Sequence, residues 1–301
     1  MYKIVKKYSM AEKTATMTFE SVMSGLKAGN YAPSYLMMGE EAYYIDQIAD
    51  FIAEHAIKPE ERDFNQQIVF GADVTGAQVA DMARSYPVMA ERQVIIVKEA
   101  QNIKNWDQLE RYLEKPAKTT VLVVCYKNGT IDGRKKILTR FKNAGVVFES
   151  KKKRDYELPP FIEAYLKKRT KVTIENKAAQ MLADHIGADL SRLTGEIDKL
   201  LLSLEEGDMR ITPQMVEKRI GISKDFNAFE LRSAIAAKDV VKANLILKYF
   251  DSNPKTGGAF ALIPVIFSYF QNLMLAYYAP NRHNDAEVAR WLDLRGPWAA
   301  K

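Results

Sequence analysis

Cysteine is nearly absent. Cys125 is the only one in 301 residues, so neither an internal disulfide nor a multi-cysteine zinc site can form. It lies in the apolar run Val121 to Tyr126 and reads as a small buried hydrophobe. Histidine is scarce as well. His55, His185 and His283 are widely separated and none sits beside an evident nucleophile or second ligand, which favours surface or structural roles. No uninterrupted apolar run reaches membrane-spanning length, and the lysine-bearing N-terminus carries no continuous apolar segment of the signal-peptide kind, so the chain is expected to be cytoplasmic. Nowhere do aromatic and basic residues interleave as in a single-strand-binding platform.

A nucleotide site is the most informative thing missing. A phosphate loop needs glycines whose backbone N–H groups cradle the phosphates, a Lys to reach the terminal ones and a Ser or Thr hydroxyl on magnesium. The run Tyr35-Leu36-Met37-Met38 leads into a glycine and a helix, the right place for such a loop, but continues Gly39-Glu40-Glu41. Two carboxylates suit a helix N-terminus and repel phosphate. The decoy Gly71-Ala72-Asp73-Val74-Thr75-Gly76 has the glycine spacing but continues Ala77-Gln78, and reads as a turn opening a helix. The buried strand Val94-Ile95-Ile96-Val97 ends in Lys98-Glu99, where an ATPase of this architecture carries a magnesium-binding Asp. An ammonium cannot ligate a cation.

What is present is an ordinary globular composition: 47% hydrophobic and 27% charged residues, with a formal net charge of +6. That mild basicity admits nucleic acid or another acidic partner without selecting either. The length suits two or three domains. From about Phe19 to Ser150, strand-like runs (Tyr35 to Met38, Gln67 to Phe70, Val94 to Val97, Thr120 to Tyr126, Val146 to Glu149) alternate with helical ones. The helical runs are Glu41 to His55, Gly76 to Tyr86, Trp106 to Glu114 and Ile131 to Asn143. Such alternation predicts a parallel sheet with helices on both faces.

The charged run Lys151-Lys152-Lys153-Arg154, closed by Pro159-Pro160, reads as a hinge beyond which strands stop. Leu190, Leu193, Ile197, Leu200, Leu201 and Leu204 form a stripe at helical spacing, read as core against helices over Phe161 to Lys168 and Glu175 to His185. Thr212-Pro213 opens a short helix that Gly221 ends. Near Phe226 a further helical section begins, broken at Ser252-Asn253-Pro254 and Gly257-Gly258. Its long helix from about Ala259 to Tyr278 carries Phe260, Phe267, Tyr269, Phe270, Tyr277 and Tyr278. A helix apolar around most of its circumference is central to a bundle or part of a subunit interface.

Four segments, YLMMGEEAYYIDQIADFI, YPVMAERQVIIVKEAQ, LEKPAKTTVLVV and GADLSRLTGEIDKLLL, in that order and spacing, resemble the delta subunit of the bacterial DNA polymerase III clamp loader. The resemblance runs from about Tyr31 to Trp298. The first thirty residues, with Lys3, Lys6, Lys7 and Lys13, match less well. It implies an AAA+-like (P-loop NTPase-type) α/β domain without a nucleotide site over 1–152, a small helical lid-type bundle over 153–223 and a helical collar over 224–301. Because the family usually continues past the equivalent of Lys301, the collar is expected to be incomplete. No cofactor and no intrinsic catalysis are implied, although the holoenzyme that the family serves is a nucleotidyltransferase.

The implied partners are the sliding clamp (beta), the other loader subunits (gamma/tau and delta-prime type) and primed DNA, with no membrane. The implied clamp element is Tyr86, Pro87, Val88 and Met89 with Arg92. An apolar pair here serves the family as a wedge in a pocket of the clamp, and Val88-Met89 depart from the commoner Leu-Phe pair. Pro87 bars a regular ladder and Met is a flexible pocket filler. The collar interface falls to Phe260, Phe267, Phe270 and Tyr277. A basic group, Arg134, Lys135, Lys136, Arg140 and Lys142, crowds one predicted helix with Lys127 before it, and reads first as a solvated face and next as a set of phosphate contacts. Two other functional classes compete: a degenerate P-loop ATPase, and a basic DNA-binding module acting alone.

Overall fold

The computed structural model describes residues 17–205, 207, 209–220, 226–252 and 258–294. The chain divides into two compact units, Met1–Lys152 and Lys153–Lys301.

In the first unit the elements run α1 (Phe19–Lys27), β1 (Ser34–Gly39), α2 (Ala42–His55), α3 (Arg62–Asn65), β2 (Gln66–Phe70), α4 (Gly76–Arg84) and β3 (Gln93–Lys98). They continue with α5 (Asp107–Tyr112), β4 (Thr120–Lys127), α6 (Lys136–Ala144) and β5 (Val146–Ser150). The strands form one parallel sheet in the order β2-β3-β4-β1-β5. Side chains alternate across its pleat, and both faces are covered. Leu36, Met38, Ile95, Val97, Leu122 and Val124 meet α4, α5 and α6 through Val79, Ala83, Leu109 and Phe141. Tyr35, Met37, Val94, Ile96, Val123 and Cys125 meet α1 and α2 through Val22, Leu26, Ile45, Ile48 and Ile52. Burial pushes the Cys125 thiol up to about 12, so it stays protonated and inert. Only the edge strand β2 is left partly bare, with Ile68 and Phe70 exposed.

The decoy glycine segment is a turn leading into α4, closed by a capping box in which Thr75 and Gln78 satisfy each other's backbone N–H groups. The basic helix is shorter than its sequence pattern suggests. It starts at Lys136, because Asp132 accepts from the backbone N–H and the guanidinium of Arg134 and holds 132–135 in a turn. Arg134 and Lys135 therefore precede the helix. The helix expected over Gly76 to Tyr86 ends at Arg84, and Tyr86 to Met89 lie on the loop that follows.

The second unit contains α7 (Leu158–Arg169), β6 (Thr173–Ile174), α8 (Asn176–Ile186), α9 (Leu190–Leu202), β7 (Arg210–Ile211) and α10 (Pro213–Ile220). After them come α11 (Ala228–Ala236), α12 (Val240–Ser252), α13 (Gly258–Tyr277) and α14 (Asp285–Trp291). Two expectations need correction. Pro159 and Pro160 do not close the hinge but lie in the first turn of α7, where a missing N–H costs nothing. Strands do not stop at the hinge, since β6 and β7 form a short parallel pair with Thr173 N–H donating to Met209 O at 2.9 Å. The leucine stripe packs inward as core: Leu190, Leu193, Ile197 and Leu200 are buried, while Leu202 faces solvent. Gly221 and residues 253–257, read as helix breaks, lie outside the described residues. Beyond them, Leu231, Ala234, Ile246, Phe250 and Leu262 join α11, α12 and α13 in a separate small core.

Candidate functional site

The loop between α4 and β3 is held from beneath by buried polar side chains. Gln93, at the first position of β3 and 4% exposed, donates from Nε2 to Met82 O at 3.3 Å, to Ser85 O and to Thr120 Oγ1 at 3.0 Å. Thr120 Oγ1 in turn donates to Ala83 O at 2.9 Å. Carbonyls at the end of a helix have no intrahelical partner, and these two side chains satisfy them. Further along, Asn65 at the end of α3 takes hold of Val88. Its Oδ1 accepts from Val88 N–H at 2.6 Å, and its Nδ2 donates to Val88 O at 3.0 Å and to Glu61 O at 2.9 Å.

The apolar side chains of this loop stand in solvent. Tyr86 is 85% exposed, Val88 54% and Met89 97%. Pro87 is half-buried. Met89 has φ 52°, a left-handed conformation that costs a non-glycine residue about 1–2 kcal/mol. Such strain persists only where surrounding structure over-determines it. Phe64, on α3 beside Asn65, is also strongly exposed. Arg92 stacks its guanidinium over the Tyr31 ring at 5.0 Å, and burial pushes the Tyr31 hydroxyl above its ordinary range against the opposing charge of Arg92. Asn65, Gln93 and Phe64 were not evident as site residues in the sequence. Gln93 carried the only signal, a polar residue bordering a wholly apolar strand.

Where a phosphate loop would sit, backbone donors are already used. Gly39 N–H donates to Gly129 O at 2.8 Å and Glu40 N–H to Ser150 O at 3.2 Å. The Glu41 carboxylate, itself buried, caps α2 by accepting from Tyr43 N–H at 3.1 Å, so the helix dipole meets an anion of its own chain. Gly39 has φ 133°, and a Cβ there would lie 2.0 Å from Ser150 O, so glycine serves close packing of β1 on β5. The strand ends point two ammonium groups at α2. Lys98 Nζ lies 3.9 Å from Asp50 Oδ1, and Lys127 Nζ lies 2.6 Å from Asp46 Oδ1. Burial raises the Asp50 carboxyl above its ordinary range and Lys98 opposes that shift. Among the described residues, no group of three or more His, Cys, Asp and Glu side chains could hold a metal ion.

The basic group is spread over several surroundings. Lys127 is engaged by Asp46, Arg134 forks Asp132 at 2.7 Å, and Arg140 pairs with Glu114 at 2.6 Å. Lys135 and Lys136 are exposed at the start of α6. In the second unit α13 exposes Phe260, Ile263, Phe267, Phe270, Leu273, Met274 and Tyr277. The stretch Phe260–Tyr277 has a mean hydropathy of 1.5 and is long and apolar enough to cross a membrane by length and composition. This corrects the expectation that no segment reaches that length, which stood on uninterrupted runs; Ser268, Gln271 and Asn272 punctuate this one.

A family model described as DNA polymerase III, delta subunit, matches residues 35–151, the span from β1 through β5. The DNA polymerase III subunit delta of Bacillus subtilis (strain 168) is 26% identical over 285 residues, covering 91% of this chain and 80% of its own length. Among solved structures, the Bacillus subtilis DNA clamp loader delta protein superposes with a TM-score of 0.60 at 24% identity, over 94% of this chain and 85% of its own. The parallel α/β unit followed by helices is the fold this chain shares with that structure. The family match across the sheet, and a relative aligned over 91% of the chain, make this chain similar to the DNA polymerase III delta subunit.

Proposed function

We propose that the protein is a non-catalytic clamp-loader subunit that binds the sliding clamp through the loop Tyr86 to Met89, with Arg92 at its base, and helps hold the ring open for loading onto primed DNA. The observation that carries this reading is the exposed pair Val88 and Met89 on a loop whose backbone is held by buried side chains. Exposed apolar side chains on an ordered support are what a hot spot requires: they lose little freedom on binding and gain the burial of their area. Backbone donors already engaged at Gly39 and Glu40, the internal cap Glu41 and the ammonium of Lys98 support a role without nucleotide, against a degenerate ATPase.

The second unit divides functionally near residue 223, with α7 to α10 as a lid-type bundle and α11 to α14 as part of the collar. In that division Phe260, Phe267, Phe270 and Tyr277 face neighbouring loader subunits of the gamma/tau and delta-prime type. Similarity to the delta subunit and the near-continuous apolar exposure of α13 favour a protein interface there over a lipid one. For DNA, Lys135 and Lys136 lead the contact. Lys127, Arg134 and Arg140 join only by exchanging carboxylates for phosphate, which is cheap at an exposed pair such as Arg134–Asp132. That argues against a DNA-binding module acting alone.

The test is surface plasmon resonance of the full chain on immobilised clamp from the same cell. The wild type should bind, and Val88→Ala/Met89→Ala should lose on the order of 100-fold in affinity, the range of a two-residue hot spot, with an unchanged melting temperature. A fall in melting temperature in place of affinity would assign the pair to the core and sink the wedge.

A further inference from the structure

We propose that Asn65 is the positioning residue of the clamp-binding loop, holding Val88 by both its backbone groups and so pre-ordering Val88 and Met89 for the partner. This rests on the reading of that loop as the clamp contact.

Asn65 is 2% exposed, unusual for a side chain of its polarity, and its three hydrogen bonds go to backbone. Two of them reach across 23 positions to a single residue. An amide N–H and its own carbonyl are thereby gripped by one planar carboxamide, which offers a donor and an acceptor side by side. The third, to Glu61 O, ties the same Nδ2 to the turn before α3 and leaves the carboxamide little freedom. Since β2 begins at the next residue, the grip is referred directly to the sheet. No strand ladder runs through Val88, so this clasp replaces a ladder at that point of the loop. The residue that follows is Met89, held in the left-handed region at 97% exposure, where no packing of its own side chain could hold it. What holds Met89 in place is the backbone before it, and Asn65 holds that backbone. A loop ordered before encounter pays less ordering cost on binding and presents a larger competent fraction.

The role is distinct from general stability, and the experiment separates them. Clamp binding is measured by surface plasmon resonance for the full chain as wild type, Asn65→Ala, Asn65→Asp, Val88→Ala/Met89→Ala and the triple variant. Native-state hydrogen exchange of the Val88 amide is followed in parallel. Asn65→Ala should weaken clamp binding on the order of tenfold, and should do little in the Val88→Ala/Met89→Ala background, where there is no longer a pair to position. Val88 N–H should then exchange like an open loop while Val94 to Val97 in β3 stay protected. If Asn65→Ala does not fold, Asn65→Asp serves. It is nearly isosteric and keeps the acceptor for Val88 N–H, but faces two carbonyls without a donor, so a partial loss of affinity with the same non-additivity is expected. Equal losses in both backgrounds, or unchanged affinity with Val88 N–H exposed, would overturn the positioning role while leaving the wedge standing. If Val88→Ala/Met89→Ala itself leaves affinity intact, the clamp reading fails and the role of Asn65 falls with it.

Discussion

Two of the apolar surfaces that the described residues show to solvent are built in opposite ways. The loop before β3 is a few residues wide, irregular, and fixed by buried amides reaching in from α3 and β3. The surface on α13 runs the length of a twenty-residue helix whose own ladder, interrupted at Pro264 where the N–H is missing, satisfies most of its backbone, so the helix itself presents the surface. A point contact needs pre-ordering because few atoms must deliver the whole affinity. A broad helical face can tolerate motion, since its energy is spread over many side chains. The loop therefore suits a pocket that is engaged and released, and the helix suits a lasting seam.

Breaking the seam should give the largest effect. Phe267→Asp with Phe270→Asp places two charges in an interface core, and the protein should cease to co-elute with the other loader subunits on size exclusion while its clamp affinity stays within a factor of about two. Loss of clamp binding in that variant would show that the two surfaces are not independent.

Loosening the loop from below should be next. Gln93→Ala leaves carbonyls at the end of α4 and the Thr120 hydroxyl short of a donor, costing about 1–3 kcal/mol. For a unit of this size that is a fall in melting temperature of roughly 2–12 °C. The same substitution should reduce clamp affinity less than Val88→Ala/Met89→Ala does, because Asn65 still grips Val88.

A smaller effect distinguishes the helical unit. Burial raises the Asp184 carboxyl to about 6, against a hydrogen bond from Gln180 and the charge of Arg232, with Asp155 adding to the rise. The folded state thus binds the proton more tightly than the unfolded chain does. Stability from this group declines as pH climbs from about 4 to about 6 and is level above that. Asp184→Asn should raise stability at pH 7 by at most about 3 kcal/mol and leave it unchanged at pH 4, as read by thermal melts at both values. Equal gains at the two pH values would exclude the titration as the cause. The smallest expected effect is none at all: calorimetry with Mg-ATP should give no binding heat, and micromolar affinity would revive the ATPase reading.

Much of the α/β unit was legible because burial on both sheet faces leaves a plain mark, a run such as Val94 to Val97 with charge at its borders. Each expected strand there lies within an observed one. Helix ends were less legible. Ile131 to Asn143 looked helical throughout, yet Asp132 spends its carboxylate on Arg134 and delays the helix to Lys136, a choice that depends on side-chain geometry and not on apolar spacing. The pair β6 and β7 left no pattern, since two residues per strand are too few for a period to show.

The amino-acid order alone determined the alternating layers, the leucine core of α9, the carboxylates at the start of α2 and the Lys in place of an acid at the end of β3. Each is written in adjacent residues or in a short repeat. Tertiary structure alone decided that Val88 and Met89 stand in solvent, that Met89 is left-handed, and that Lys127 and Arg140 are matched by carboxylates. Those outcomes join residues distant in sequence: Asn65 with Val88, Gln93 with Thr120, Asp46 with Lys127. Whether a polar side chain finds a partner in a fold is settled by where the sheet brings the strand ends, and no local pattern records it.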